Sequence, residues 1–136
     1  MAMSAYTPIR GALNGQTAAI DGRWRLVDGY IGGVRVPEAE LAGLTLTISN
    51  GTFTLSTTEG FILVDSDPQP GLMDIVATSG PNRGRFVPGI YECAADVLRI
   101  CCDLSGVDRP THFDAPPGTR RFAALYRRAA LRLSEG

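Results

Sequence analysis

The side chain with the clearest potential for acid–base chemistry is Asp28, which belongs to a segment with strand-type alternation, residues 23–31. Counting every second residue places Asp28 on the same side as Trp24, Leu26 and Tyr30. Desolvation among such neighbours would suit a carboxyl group to proton transfer, or to holding a polar group of a ligand. The alternative is that Asp28 lies near the open end of the strand and is solvated.

A second candidate, Tyr91, lies in residues 89–102, which predict a β-hairpin with Ala94 and Ala95 as its turn. One face of this hairpin carries Tyr91, Cys93, Leu98, Ile100 and Cys102, and we predict that this face points inward. The Tyr91 hydroxyl would then orient a ligand, or else bond to a backbone carbonyl. If the protein is an enzyme, Asp28 and Tyr91 are the candidate catalytic residues.

Nucleophilic and metal chemistry have weaker support. Cys101 and Cys102 point to opposite faces of a strand, and we predict that both are buried and inert, because a reactive thiol needs a base or a positive field nearby. His112 is the one histidine, which is too few for a histidine-rich metal site, so we predict no metal. A Cys102–His112 dyad has no supporting spacing. Because the sequence contains no glycine-rich phosphate loop or nucleophile elbow, we also expect no cofactor.

Composition narrows the classes of partner. The 136 residues suit one domain, and 13 basic residues, all arginine, nearly balance 14 acidic ones, so nucleic acid is not an expected partner. Three cysteines are an odd number and the N-terminus lacks the apolar run of a signal peptide, which favours a reducing, cytoplasmic location. No apolar stretch is long enough to cross a bilayer, so we expect no membrane partner. A homodimer is compatible with this composition.

Eight segments show the alternation or composition of strands, and they must position these side chains. They are residues 23–31, 44–48, 53–55, 60–64, 72–77, 85–92, 97–102 and 122–128. Asn50-Gly51 predicts a type I′ hairpin turn. Short strands joined by tight turns favour an all-β, eight-stranded, up-and-down antiparallel barrel, because closure removes exposed edges. Residues 1–19 are predicted as an N-terminal arm, and residues 20–136 as the barrel domain with a short C-terminal helix or tail.

Residues 104–118 predict a long structured loop, since they include Pro110, Pro116 and Pro117. We expect this loop to fold over one mouth of the barrel, with Phe113 as an apolar plug and Arg109 as a polar anchor. The Arg109 guanidinium would either clamp a ligand carboxylate or tie the loop to a strand end.

Several short motifs occur in a fixed order along the chain. They are Gly22-Arg23-Trp24, Val36-Pro37-Glu38, Met73-Asp74-Ile75, Gly89-Ile90-Tyr91-Glu92, Leu98-Arg99-Ile100-Cys101, and Arg109-Pro110 followed by Phe113. From about residue 20 to residue 128, this set resembles an uncharacterised lipocalin-like domain family that is common in Planctomycetes. The resemblance implies a calycin-type β-barrel and no established activity. The chain departs from it at Ala94-Ala95, where members tend to have a glycine in the turn.

The Gly22-x-Trp24 motif also resembles the one that opens true lipocalins. There the tryptophan plugs the closed end of the barrel, and an arginine near the last strand packs across it. The resemblance implies that Trp24 is structural and that Arg127 or Arg128 stacks on it by a cation–π contact.

Three functions are compatible with this barrel. The first is binding of a small, largely apolar molecule in the mouth, with polar contacts from Asp28, Tyr30, Tyr91 and Arg109 and an apolar one from Phe113. The second is a cofactor-independent cyclase or isomerase acting on an apolar metabolite. The third is a filled barrel that serves as an interaction or accessory module. The size and polarity of the interior distinguish them.

Overall fold

The computed structural model describes residues 18–81 and 83–129, so most of the predicted N-terminal arm and the predicted C-terminal helix or tail lie outside the described residues. The strands are β1 (Gly22–Ile31), β2 (Val34–Arg35), β3 (Leu46–Ser49), β4 (Thr52–Leu55), β5 (Thr58–Asp65), β6 (Gly71–Ala77), β7 (Phe86–Ala94), β8 (Val97–Asp103) and β9 (Arg121–Arg128). One short helix, α1 (Glu38–Leu41), begins after Pro37, and 3₁₀ turns span Ala18–Ile20 and Ala42–Leu44. No helix among the described residues has the length and apolar character needed to cross a membrane.

The sheet closes on itself. From β3 to β9 each strand pairs antiparallel with the next, and β1 pairs with both β3 and β9, so the ring has no free edge at that join. The predicted all-β, eight-stranded, up-and-down barrel is therefore confirmed. The two-residue strand β2 was not predicted, and it pairs only with the last two residues of β1.

Turn geometry explains how these strands reach their register. Asn50 and Gly51 have φ angles of 50° and 85°, as a type I′ turn requires, and they join β3 to β4. In the next tight hairpin, Ala94 pairs with Val97, so the turn is Ala95-Asp96 and the prediction of Ala94-Ala95 is wrong by one position. The predicted inward face is nevertheless confirmed: Tyr91, Leu98 and Ile100 belong to the barrel core, Cys93 packs against that core, and Cys102 lines the barrel interior.

A β-bulge in β1 changes the face of the sheet to which the side chains in the second half of the strand point. Leu26 pairs with Tyr126 and Asp28 pairs with the adjacent Leu125, so Val27 is an extra residue. Before the bulge, Leu26 is buried; after it, the Asp28 side chain is 37% exposed and Tyr30 is 41% exposed. The prediction that Asp28 and Tyr30 share the interior with Trp24 is therefore wrong, because the bulge turns both of them outward.

The end of the barrel where β1 begins is closed by Trp24. Its side chain is fully buried, and the indole Nε1 donates a hydrogen bond of 2.9 Å to the carbonyl of Ile20. The Arg128 guanidinium lies 4.2 Å from the centre of the ring, and its Nη1 donates to the carbonyl of Asp21 at 2.8 Å. The predicted structural role of Trp24 is confirmed, with Arg128 as the stacking arginine, while Arg127 is exposed.

The long loop between β8 and β9 packs on the outer wall of the barrel. Arg109 Nη2 lies 2.8 Å from Oδ1 of Asp74 on β6, and Arg109 Nη1 donates to the carbonyls of Gly89 and Met73. Farther along the loop, Cys101 Sγ on β8 contacts the carbonyl of Asp114. The prediction that this loop covers the mouth is wrong, because the outward-facing carboxylate of Asp74 draws the arginine to the wall. Of the two roles considered for Arg109, the structural tie is the one found.

Asp103 holds the beginning of this loop. Its Oδ1 accepts hydrogen bonds from the backbone N–H and the hydroxyl of Ser105, and its Oδ2 accepts from the N–H groups of Val107 and Asp108. Burial alone would raise the pKa of Asp103, but these hydrogen bonds together outweigh burial and lower the pKa. The ionised carboxylate is therefore bound more tightly in the folded chain than in the unfolded chain.

We expect Asp103→Asn to lower the free energy of unfolding by about 1 to 3 kcal/mol at pH 7, because the new amide group cannot accept all these hydrogen bonds. A lowered pKa stabilises the fold fully above the unfolded value of about 3.9, and this stabilisation is lost as the pH falls through the folded value. The gap between wild type and variant should therefore shrink in urea unfolding as the pH is lowered from 7 through that region. Asp65→Asn, at the end of β5, where the carboxylate accepts a single hydrogen bond from the N–H of Asp67, is the control, and a gap that does not change with pH would contradict the prediction.

Candidate functional site

The barrel interior contains a cavity of about 240 Å³. Its wall consists mainly of aliphatic and aromatic side chains, among them Phe53, Ile62, Met73, Ile100 and Phe122. It opens at the end away from Trp24, where Thr58 at the start of β5 and Leu104 just after β8 lie beside it. The alternation of apolar residues in the strands therefore produces a pocket with an apolar wall at one end of the barrel.

Two arginines lie at the mouth of this cavity, both of them exposed. Arg85 precedes β7, and its Nη1 donates a hydrogen bond of 3.1 Å to the carbonyl of Leu104. Arg120 precedes β9, and its carbonyl accepts a hydrogen bond of 2.8 Å from the N–H of Leu104. The backbone of Leu104 thus brings the two arginines to one part of the rim. No acidic side chain is among the described residues that line the cavity.

Inside the cavity, the titratable groups are neutral. Burial first, and the nearby Cys102 second, raise the pKa of Tyr126. Burial, together with Cys101 and Asp103, raises the pKa of Cys102 to about 12. Both side chains are therefore protonated at pH 7, so neither is a ready base or nucleophile. The prediction that Cys101 and Cys102 are buried is confirmed.

The structure does not bring the proposed cysteine–histidine dyad together. Cys102 faces the interior of the barrel, whereas His112 is exposed on the outer loop, where its Nδ1 lies 3.0 Å from the Thr111 hydroxyl. Within residues 18–81 and 83–129, no group of three or more His, Cys, Asp or Glu side chains is arranged to hold a metal ion.

The residues predicted to bind a ligand lie elsewhere. Asp28 and Tyr30 border a shallow groove on the outer wall, and Phe113 lies in the same groove with the Arg99 guanidinium 4.3 Å from its ring centre. Arg109 forms an ion pair with Asp74 on the outer wall of the barrel.

Tyr91 does face inward, but it packs against Gly71 near the closed end and lines a separate recess with Ile20 and Gln69. Burial is the main reason that the pKa of Tyr91 is raised. None of the five predicted ligand contacts therefore lines the cavity.

Sequence reasoning missed the residues that do line it, among them Arg85, Arg120 and Tyr126. A signal for the arginines existed, because alternate strands of an up-and-down barrel begin at the same end. Both arginines directly precede strands that begin there, β7 and β9. Tyr126 shares an alternating inward face with Phe122 and Ala124, and that face was also readable in the sequence.

Phe113→Ala tests the corrected position of the outer loop. We expect a stability loss of about 1 kcal/mol, the size of an exposed cation–π contact, and no change in the affinity of any ligand in the cavity. Melting temperature and calorimetric titration with decan-1-ol measure the two quantities. Phe53→Ala, at a buried ring in the cavity wall, is the matched control and should lose about 3 to 5 kcal/mol. An altered affinity in Phe113→Ala would revive the idea of a plug.

Comparisons of the chain with protein-family profiles, with curated proteins and with solved structures find no match. Any inference about function therefore depends on the site itself.

Proposed function

We propose that the protein binds a small, largely apolar molecule inside the barrel. The observation that carries this proposal is the 240 Å³ cavity with its apolar wall and open mouth. Ligand sites are typically concave and mostly apolar, with a few polar groups that set orientation. An apolar cavity of about 150 Å³ in another protein takes up benzene, so this volume suits a ligand of roughly ten heavy atoms.

The cavity also weighs against a filled barrel that serves only as an interaction module. Protein interiors are normally packed with few voids larger than a water molecule. The side chains that line this open cavity lack packing partners on one side, so the fold forgoes dispersion contacts there. A barrel that only had to be stable would gain from larger side chains at positions such as Ala77, which lines the cavity.

A cyclase or isomerase is less well supported than binding. Proton transfer needs a group whose pKa lies near the working pH, and no His, Asp or Glu lines the cavity among the described residues. The two buried titratable groups there, Cys102 and Tyr126, both have raised pKa values. Binding requires neither of them to ionise.

The proposal also covers the relationship of the protein to calycin-type barrels and its location in the cell. A calycin-type relationship is supported by the closed barrel and by the stacking of Arg128 on Trp24. A reducing, cytoplasmic location is supported by Cys93, Cys101 and Cys102, all of which are free thiols.

Filling the cavity tests the function directly. Ala77→Leu adds three carbon atoms to a space for roughly ten, so we expect decan-1-ol to bind at least about tenfold more weakly. Isothermal titration calorimetry gives the affinity, and thermal unfolding shows whether the variant is folded. Ala94→Leu, at an exposed strand position, makes the same change outside the cavity and should leave binding unaltered. Absence of saturable binding of any apolar compound of this size to the wild type would refute the proposal.

A further inference from the structure

We propose that the ligand is an anionic amphiphile, whose apolar chain fills the cavity and whose carboxylate or similar head group is held by Arg85 and Arg120. This inference rests on the proposed function and specifies the class of ligand.

The first support is the geometry of the mouth. Arg85 bonds through Nη1 to the carbonyl of Leu104, and the N–H of that same residue bonds to the carbonyl of Arg120. Leu104 itself lines the cavity. Its two backbone hydrogen bonds therefore hold Arg85 and Arg120 beside the place where the cavity meets solvent. A guanidinium has five N–H donors, and Arg85 uses one of its nitrogens here, which leaves donors for a ligand.

The second support is charge. Arg85 and Arg120 are the only charged residues among the described residues that line the cavity. Neither takes part in an ion pair with another described residue, in contrast to the arginines paired with carboxylates elsewhere on the barrel. Those pairs are Arg35–Asp28, Arg99–Glu92, Arg109–Asp74 and Arg128–Asp96.

The carboxylate that lies beside Leu104 in the sequence, that of Asp103, is not paired with either arginine. Asp103 directly precedes Leu104, but its two oxygens accept hydrogen bonds from Ser105, Val107 and Asp108 of its own loop. The rim therefore has two cations and an apolar entrance, which is the complement of an anionic head on an apolar chain. Arginine suits a carboxylate in particular, since its planar fork can bind both oxygens.

The third support is the interior. Apart from the rim, the polar groups at the cavity are Thr58, Cys102 and Tyr126, none of which is charged at neutral pH. A ligand with a charge at both ends would leave one charge unpaired in an apolar space. The cavity therefore favours one charged head and an uncharged chain of roughly ten carbon atoms.

The test compares three probes that share a ten-carbon chain: decanoate, decan-1-ol and decylammonium. Isothermal titration calorimetry at pH 7.5 and low salt is run on the wild type, on the double variant R85Q/R120Q and on R127Q, which removes an exposed arginine at the closed end. We expect the wild type to bind decanoate at least about fivefold more tightly than decan-1-ol, as two exposed ion pairs would allow. The double variant should lose this preference while its affinity for decan-1-ol stays within about twofold, and R127Q should behave as the wild type.

Salt provides a second measurement that needs no variant. Raising the ionic strength should weaken decanoate binding to the wild type and leave decan-1-ol binding nearly unchanged, because salt screens exposed charges. Equal affinities for decanoate and decan-1-ol, tighter binding of decylammonium, or a preference that survives in the double variant would overturn the anionic ligand but leave the proposed function intact. Failure of all three probes to bind would overturn both.

Discussion

Arg109→Met is expected to lower the free energy of unfolding by about 3 to 5 kcal/mol, the usual consequence of removing one partner from a buried ion pair. Asp74 is fully buried, and Arg109 Nη2 lies 2.8 Å from its Oδ1. Methionine fills similar space but leaves that carboxylate without its cation. The variant also loses the hydrogen bonds from Arg109 to the carbonyls of Met73 and Gly89. Urea unfolding followed by circular dichroism measures the loss.

Two controls separate the buried pair from a general effect of losing an arginine. The double variant Asp74→Leu with Arg109→Met removes both charges and should regain much of the stability, because a buried ion pair is often no better than an apolar replacement. Glu92→Gln breaks an exposed pair with Arg99 on the neighbouring hairpin and should change stability by less than about 1 kcal/mol. A similarly small change for Arg109→Met would mean that the loop is not tied to the wall through this pair.

The barrel itself could be predicted from the sequence because its causes are local. Alternation identifies each strand, and the Asn50-Gly51 turn fixes one register without any tertiary contact. Closure then follows, since a meander of eight strands would otherwise expose two edges. Trp24 and its stacking arginine were predictable through the resemblance to lipocalins, not through periodicity.

The direction of Asp28 and Tyr30 could not be predicted in this way. Alternation counts residues along one strand, whereas a bulge is a property of two paired strands. The extra residue is Val27, a good strand former with nothing in its type to mark it. One inserted residue reverses the faces to which the later side chains of the strand point. Asp28, a candidate acid for the interior, therefore becomes an exposed partner of Arg35.

The position of the long loop depends on a partner far away in the sequence. Its prolines predict that it is ordered, but they do not say which surface it covers. That choice follows from Asp74 on β6, whose side chain points outward because its neighbour Met73 lines the cavity. The sequence contained the residue, but a single carboxylate in a strand does not identify the arginine that will bind it.

The arginines at the mouth were overlooked because each is an ordinary exposed residue when considered alone. Arg85 and Arg120 are 2 of 13 arginines in the chain, and only barrel closure brings the beginnings of β7 and β9 to the same rim. The binding site is therefore defined by topology more than by any motif. Strand ends, examined together once an up-and-down barrel is predicted, are the better place to look for polar contacts.

At the closed end, Trp24→Ala is expected to lower the free energy of unfolding by about 3 to 5 kcal/mol, since it empties the space of the largest fully buried side chain. It also removes the hydrogen bond to Ile20 and the ring on which Arg128 stacks. Trp24→Phe keeps a ring in place and should lose about 1 to 3 kcal/mol, mainly because the carbonyl of Ile20 is left without its donor.

These two variants also test whether Trp24, at the closed end, is separate from the ligand cavity. Trp24 is not among the residues that line the cavity. Trp24→Phe should therefore bind decan-1-ol within about threefold of the wild type even though it is less stable. Circular dichroism during urea unfolding reports stability without depending on the lost fluorophore, and calorimetry reports affinity. A loss below about 1 kcal/mol in Trp24→Ala would show that the closed end does not need its tryptophan. A large loss of affinity in a folded Trp24→Phe variant would instead place the ring in contact with the ligand and extend the binding site to the floor of the barrel.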